Sequence, residues 1–446
     1  MNRWAVLLLA LALALPLMPA RGEEGEEPLA AARAFVQQLA EGKFAEATEG
    51  FDATMKSVMP AAALEGAWKG VTAKVGAFQA QEAVREQKLG EYRIVFVTCR
   101  FERTVLDTKV VFNPQGEIGG LWFVPSQPAV EYQPPDYARP DSFEERQVQV
   151  GPAESPLPGA LTVPKAGAPE GGFPAVVLVH GSGPNDRDET IGPNKPFKDL
   201  AWGLASAGVA VLRYDKRTMV HPDEFGPAEG GFTVKEETVD DALAAAALLR
   251  AMDGIDPGKV FVLGHSLGGM LIPRIAEGGP DIAGFIVLAG TARPLEDVVL
   301  EQVAYVSALS GELTEREKED LESIRQQVEK VRALGPADAG SPERLLGAPP
   351  AYWLDLRGYD PAEAAKGIDR PILILQGRRD YQVTMADFRR WRDALAGRAN
   401  VDLKVYPALN HLFIAGEGKS MPAEYERAGH VARQVVDDLA GWIKTR

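Results

Sequence analysis

Three residues with chemistry in them each sit just past an apolar run. Ser266 stands in Gly264-His265-Ser266-Leu267-Gly268-Gly269, directly after Val260-Phe261-Val262-Leu263. That is a nucleophile elbow, in which glycines flank the serine because its backbone is strained and nothing bulky fits beside it, while the hydroxyl projects above the sheet edge. Asp380 closes Gln376-Gly377-Arg378-Arg379-Asp380 after the apolar run 372–375, and His411 lies in Leu409-Asn410-His411-Leu412-Phe413 after 401–406. A serine hydroxyl is barely ionised near neutral pH; a histidine can take its proton, and a carboxylate fixes the imidazole tautomer and stabilises the imidazolium. The chemistry these types can do together is nucleophilic acyl transfer. A fourth piece lies upstream, where the run 175–179 enters His180-Gly181-Ser182-Gly183-Pro184. The backbone N–H groups of Ser182 and Leu267 are assigned as the two oxyanion donors, each typically contributing roughly 2.7–4 kcal/mol of transition-state stabilisation.

Each motif follows a predicted parallel strand, and in an open α/β sheet the carboxyl ends of such strands line one crevice. The order Ser, Asp, His is that of α/β-hydrolases. The wider string from His180 through Asn185-Asp186-Arg187-Asp188-Glu189 and Gly192-Pro193-Asn194-Lys195-Pro196-Phe197, with Arg213-Tyr214-Asp215-Lys216-Arg217, resembles the EstD-type bacterial esterases of that superfamily. With the three triad motifs, the resemblance covers roughly the last three hundred of the 446 residues. It implies a serine carboxylesterase favouring short acyl chains, with no metal or organic cofactor, and carries over Ser266, Asp380 and His411. Pro273, seven residues after Ser266, departs from a plain nucleophile helix and predicts a short or bent one.

Other readings compete. Ser182, also between glycines, is a rival nucleophile but lacks a following helix. Asp380 can instead cap the helix expected near Met385 or pair with Arg378 or Arg379, leaving Asp355, Asp360 or Asp369 as the acid. Of the five histidines, His265 adjoins the serine and should point away from it. His180 belongs to the oxyanion loop, His221 to a Pro- and Gly-containing loop and His430 to a late helix. None of these follows a strand as His411 does. Spread histidines without H-E-x-x-H spacing, and a single cysteine, argue against zinc. Asp186, Asp188 and Glu189 lack EF-hand spacing and are read as a solvated, hydrogen-bonded loop.

A chain of 446 residues, 46% hydrophobic and 25% charged, is globular and suggests two or three domains. Its formal charge of −15 disfavours nucleic acid or an anionic membrane as partner. Residues 1–22 read as a secretory signal peptide: Arg3, an apolar stretch 4–15, then Ala20-Arg21-Gly22 before an acidic cluster. The apolar stretch falls short of the ~20 residues that span a bilayer, so stable insertion after its removal is not expected. Export to periplasm or medium follows. Cys99, alone, is expected as a packed thiol.

Residues 23–125 read as a small α+β domain. Helical periodicity at Leu29, Ala32, Phe35, Val36 and Leu39 precedes strands near 92–103, 109–112 and 118–124. The pattern from Phe35-Val36 through Gly42-Lys43-Phe44, Trp68 and Gly76-Ala77-Phe78 resembles a cystatin-like or NTF2-like module found ahead of some exported hydrolases. Packing, docking or substrate gathering is its expected task, structural support foremost. A Pro-rich linker, 126–141, leads to an α/β-hydrolase domain, 142–446, with a mostly parallel eight-stranded sheet flanked by helices. Strands near 146–150 and 160–163 form its antiparallel lead-in. A charged, amphipathic insertion at about 291–360 is expected as a helical cap over the crevice, the alternative being a dimerisation arm. Tyr352 and Trp353, after its charged helical part 293–334, are candidates for the acyl pocket or for the core. The last helix is expected over about 425–443.

The reading is an exported serine carboxylesterase acting on a small-molecule ester through an acyl-enzyme, with activity rising with pH through an apparent pKa near neutrality. A serine peptidase or aminopeptidase on the same fold, a thioesterase and a non-catalytic envelope binding protein are its rivals.

Overall fold

The computed structural model describes residues 27–89, 92–126, 132–225, 231–309, 311 and 313–446. The expected signal peptide, 1–22, lies outside them. They form two compact units that divide before Tyr132.

In the first unit, Ala32, Phe35, Val36 and Leu39 make one buried stripe along the helix Glu27–Ala40. With Leu64 and Trp68 of the helix Ala61–Val75, they share a core with Val95, Val97, Cys99, Phe101, Val110 and Phe112 from a four-stranded antiparallel meander. Its strands run in chain order: β1 (Phe78–Leu89), β2 (Tyr92–Phe101), β3 (Val105–Phe112) and β4 (Ile118–Pro125). The sequence reading missed β1, because Gln79 to Glu82 carry no apolar alternation. Its polar side chains instead meet charged partners across the sheet, Glu82 with Arg100 and Arg85 with Asp107. A polar edge strand resists pairing with another chain. Cys99 is fully buried, and burial pushes its thiol up.

The second unit opens with β5 (Phe143–Val150) and β6 (Leu157–Pro164). It continues with β7 (Phe173–Val179), β8 (Ala210–Tyr214), β9 (Ile255–His265), β10 (Gly284–Leu288), β11 (Ile372–Gly377) and β12 (Val401–Tyr406). The sheet order is β12-β11-β10-β9-β7-β8-β6-β5, with β5 and β6 antiparallel and every other neighbour from β12 to β8 parallel. Alternate residues of each strand face opposite sides. Val177 and Val179 join a core with the helices Asp240–Arg250 and Met385–Ala394, while Val176 and Leu178 join one with Pro196–Ser206 and Arg433–Lys444. Burial on both faces accounts for near-continuous apolar strands such as Phe173–Val179.

Two segments depart from expectation. The stretch read as linker is not free from Tyr132 onward. The Tyr132 hydroxyl donates to Asp199 (2.8 Å), that of Tyr137 to the Val431 carbonyl (2.7 Å), and the Arg139 N–H to Ser206 Oγ (2.8 Å). The last helix begins at Arg433, not near 425. Asn194 bonds the Tyr425 carbonyl and the Gly429 N–H, and Asp199 accepts the Val431 N–H and meets the His430 ring; these bonds hold 425–431 out of helix.

The insertion contains the helices Leu295–Ala308 and Glu315–Ala333, the second opened by a Thr314/Glu317 capping box. Tyr352 and Trp353 are buried in the core, with the Trp353 indole N–H on the Leu345 carbonyl. Among the described residues no helix is long and apolar enough to cross a membrane. Trp391 is the bulkiest fully buried side chain, its indole N–H bonded to the Gly290 carbonyl at 2.8 Å. Trp391→Ala should therefore destabilise the second unit by about 3–5 kcal/mol, read as a lowered midpoint in chemical denaturation.

Candidate active site

The parallel strands deliver all the motif residues to one end of the sheet. Ser266 follows β9 with φ 54° and ψ −114°, a left-handed conformation that costs a side-chain-bearing residue about 1–3 kcal/mol. Its N–H donates to the Leu288 carbonyl of β10 at 3.0 Å, which fixes the turn. The flanking glycines are sterically required. A Cβ on Gly264 would collide with the Gly268 carbonyl, one on Gly268 would lie 2.5 Å from the Val179 oxygen, and one on Gly269 2.7 Å from Gly290 Cα. The helix after Ser266 is short, Leu267–Met270, and breaks at Leu271 before the segment Ile272–Gly278 that contains Pro273. So Ser266 stands at the start of one short helical turn and not of a long helix.

Asp380 and His411 meet. His411 Nδ1 lies 2.7 Å from Asp380 Oδ2, both side chains almost wholly buried. The other Asp380 oxygen accepts the N–H groups of Gln382 (2.8 Å) and Val383 (3.0 Å), and Gln376 Nε2 reaches Oδ2 at 3.2 Å. The helix near Met385 is capped by Thr384 instead. Asp355 pairs with Arg274, Asp360 caps Pro361–Ala364 and pairs with Arg390, and Asp369 is exposed, so none stands in for Asp380. Asn410 Oδ1 accepts the Leu412 and Ile414 N–H groups, and its amide reaches Glu424, which also binds Arg379. The histidine loop and the acid loop are thereby joined.

The loop after β7 abuts the serine: a Cβ on Gly181 would lie 3.1 Å from Ser266 Cβ and 3.6 Å from its Oγ. The Gly181 N–H is taken by Glu189 Oε1 at 2.7 Å. The Ser182 and Leu267 N–H groups have no protein partner among the described residues. Burial, foremost, lowers the His180 pKa to about 4, so its ring is neutral, and Nε2 donates to the Asp186 carbonyl.

The acidic loop 186–189 is not solvated as expected. Asp188 is buried against Arg213 and Lys195, and Glu189, at φ 51°, sits 2.9 Å from His265 Nδ1 with both side chains 4% exposed. The contact is an ion pair by distance, not a well-aligned hydrogen bond. His265 does turn from the serine, and its Nε2 bonds the backbone carbonyl of His411 at 3.0 Å while the two rings meet tilted, their centroids 4.6 Å apart. Burial pulls its pKa down, yet the Glu189 carboxylate and the His411 carbonyl raise it on balance. Burial likewise pushes Glu189 up, but His265, His180 and the Gly181 N–H bring it below its usual range. A second, hidden acid–imidazole pair thus braces the first. Adjacency to Ser266 was its only signal in sequence. No group of side chains among the described residues is placed to hold a metal ion.

Residues 176–430 match the model of the "Alpha/beta hydrolase family", and residues 32–121 match a "Protein of unknown function (DUF3887)". The chain is 42% identical over 410 residues to Esterase EstD of Thermotoga maritima, covering 92% of this chain and 93% of that protein. It is 27% identical over 194 residues to a monoacylglycerol lipase of Mycolicibacterium smegmatis, covering 41% of this chain and 61% of that one. Among solved structures, an esterase from Pyrobaculum calidifontis aligns at TM-score 0.42 and 18% identity, over 68% of this chain and 85% of that one.

The hidden pair has a pH signature. Glu189 is held below its ordinary value of 4.5, so its contribution is present above that value and fades as pH falls through the lowered one. His265 is held above 6.5, so its contribution is complete below 6.5 and is lost as pH rises through the raised value. Glu189→Gln should therefore cost more stability at about pH 6 than at about pH 9 in denaturation midpoints; equal costs would mean that His265 carries no charge in the folded protein.

Proposed function

The chain belongs to the α/β-hydrolase family, and we propose that within it the protein is an exported serine carboxylesterase for short-acyl esters. The observation that carries the catalytic assignment is the buried 2.7 Å contact of His411 with Asp380 at the same end of the sheet as the positive-φ Ser266. The esterase chemistry rests on identity to Esterase EstD across nearly the whole chain.

In this reading His411 Nε2 takes the Ser266 proton as Oγ attacks the ester carbonyl. Asp380 holds Nδ1–H and so keeps Nε2 free as the base. The carbonyl oxygen, now an oxyanion, is met by the Ser182 and Leu267 N–H groups. Collapse breaks the ester C–O bond, His411 returns its proton to the leaving alcohol, and the acyl group stays on Ser266. Water, deprotonated by the same imidazole, then releases the acid and restores the hydroxyl.

The insertion serves as a cap. Tyr305 of Leu295–Ala308 stacks on Tyr381 at 5.1 Å, and Gln302 donates to the Gln382 carbonyl, so this helix lies on the acid loop. Export is supported by residues 1–22, and the first unit is assigned structural support of the hydrolase.

Ser266→Ala and His411→Ala should each lower kcat on p-nitrophenyl acetate by about 10⁴-fold or more, and Asp380→Asn by about 10⁴-fold. Short p-nitrophenyl esters should be cleaved and aminoacyl p-nitroanilides left intact; Ser266-dependent anilide cleavage would move the protein to the peptidases. N-terminal sequencing after expression in a bacterium with an outer membrane should find the chain beginning near Glu23 in the periplasm, and an intact Met1 in the cytoplasm would remove the export reading.

A further inference from the structure

Two buried charges that no step above uses converge on Gly181. Glu189 takes its N–H, and Lys216 Nζ donates to its carbonyl oxygen at 2.8 Å. The Lys216 side chain is 2% exposed; its counter-ion is Glu237 Oε1 at 2.8 Å, itself 7% exposed, on a π turn over Lys235–Val239. Burying such a pair confers little net stability, because desolvating the two ions offsets their attraction and an apolar pair of similar volume does as well. Stability does not explain the lysine.

Its target does. The Gly181 carbonyl and the Ser182 N–H belong to one planar trans peptide, in which the two bonds point in opposite directions. An ammonium that draws the oxygen to one side turns the N–H to the other. The loop needs this control, since Gly181-Ser182-Gly183 is flexible by composition and Gly183 already sits at φ 87°. A cation on the carbonyl oxygen also withdraws density from the amide nitrogen, which strengthens its N–H as a donor. Asn185 Nδ2 reaches the same oxygen at 3.3 Å, a weaker neutral partner.

We propose that Lys216 is a positioning residue for acyl transfer at Ser266, clamping and polarising the Gly181–Ser182 peptide so that the Ser182 N–H is aimed in advance at the oxyanion. The proposal rests on the serine-esterase reading above. Lys216 touches neither ester nor nucleophile, so it acts only where negative charge builds on the carbonyl oxygen. Its loss is felt in the transition state and not in ground-state binding.

The test compares Lys216→Met with the double variant Lys216→Met/Glu237→Gln, which leaves no lone buried charge. On p-nitrophenyl butyrate, kcat of the folded double variant should fall about 10- to 100-fold, less than for outright removal of an oxyanion donor, because Asn185 still holds the peptide. KM should stay within about threefold, and the inhibition constant of an alkyl trifluoromethyl ketone, whose hemiketal mimics the tetrahedral oxyanion, should rise by the factor by which kcat/KM falls. A folded double variant with kcat within about threefold of wild type would overturn the proposal. So would a loss carried by KM with ketone affinity unchanged. Ser266→Ala, assayed beside them, separates the two readings: if it stays active, the serine mechanism itself fails, whereas an inactive Ser266→Ala beside a fully active double variant removes only the role of Lys216.

Discussion

Everything at the carboxyl end of the sheet depends on close backbone approach around Ser266. A serine at φ 54° persists only if its surroundings over-determine it. Here they do so by excluding side chains: Gly264 lets the chain fold back on the Gly268 carbonyl, Gly268 lets the new helix touch the end of β7, and Gly269 lets it touch Gly290 beyond β10. The three contacts draw strands β7, β9 and β10 together where their loops begin. The same approach brings Gly181 against the Ser266 side chain, so the loop that carries the Ser182 N–H and Ser266 share one boundary.

Around that boundary the loops are held by charge. Glu189 with His265, Lys216 with Glu237, Arg213 with Asp188 and Arg379 with Glu424 are each buried or nearly so, and each ties a loop to a different element. Such pairs are neutral to modest in net stability, but removing one partner leaves an uncompensated charge costing about 3–5 kcal/mol. They therefore make alternative loop positions costly, which is what a site needs if its groups are to hold their geometry without reorganising. The Glu189–His265 pair goes further, since it bonds the Gly181 N–H on one side and the His411 carbonyl on the other. It couples the serine's loop to the histidine's backbone through two buried side chains.

The strand-then-motif pattern was legible in sequence because parallel strands buried on both faces read as apolar runs, and the elbow glycines mark the turn. Strands β7, β9, β10 and β11 and the Asp380–His411 partnership follow from that pattern. The misses share a cause. β1 is polar because an edge strand pairs through charges, residues 425–431 resemble a helix start but are held open by Asn194 and Asp199, and 132–141 looked like linker until its tyrosine hydroxyls found Asp199 and Val431. In each, partners distant in sequence outweigh local preference. The acidic run 186–189 fails the same way, because nothing nearby announces that Arg213, Lys195 and His265 will surround it.

The helix Leu295–Ala308 and the acid loop form one mechanical unit. The Gln382 N–H is one of the donors that fix the Asp380 carboxylate, and its carbonyl takes the bond from Gln302 of the helix Leu295–Ala308. The next turn of that helix stacks Tyr305 on Tyr381, and its hydroxyl donates to the Ser420 carbonyl beyond the histidine loop. A helix held only by its own apolar stripe would shift without consequence for Asp380. This one shares a peptide with the acid's hydrogen-bond cradle, so its displacement would disturb the group that orients His411. Burial of Asp380 and His411 also lowers the local dielectric, which strengthens their contact. The position of the helix and the orientation of the acid are thus set by the same contacts.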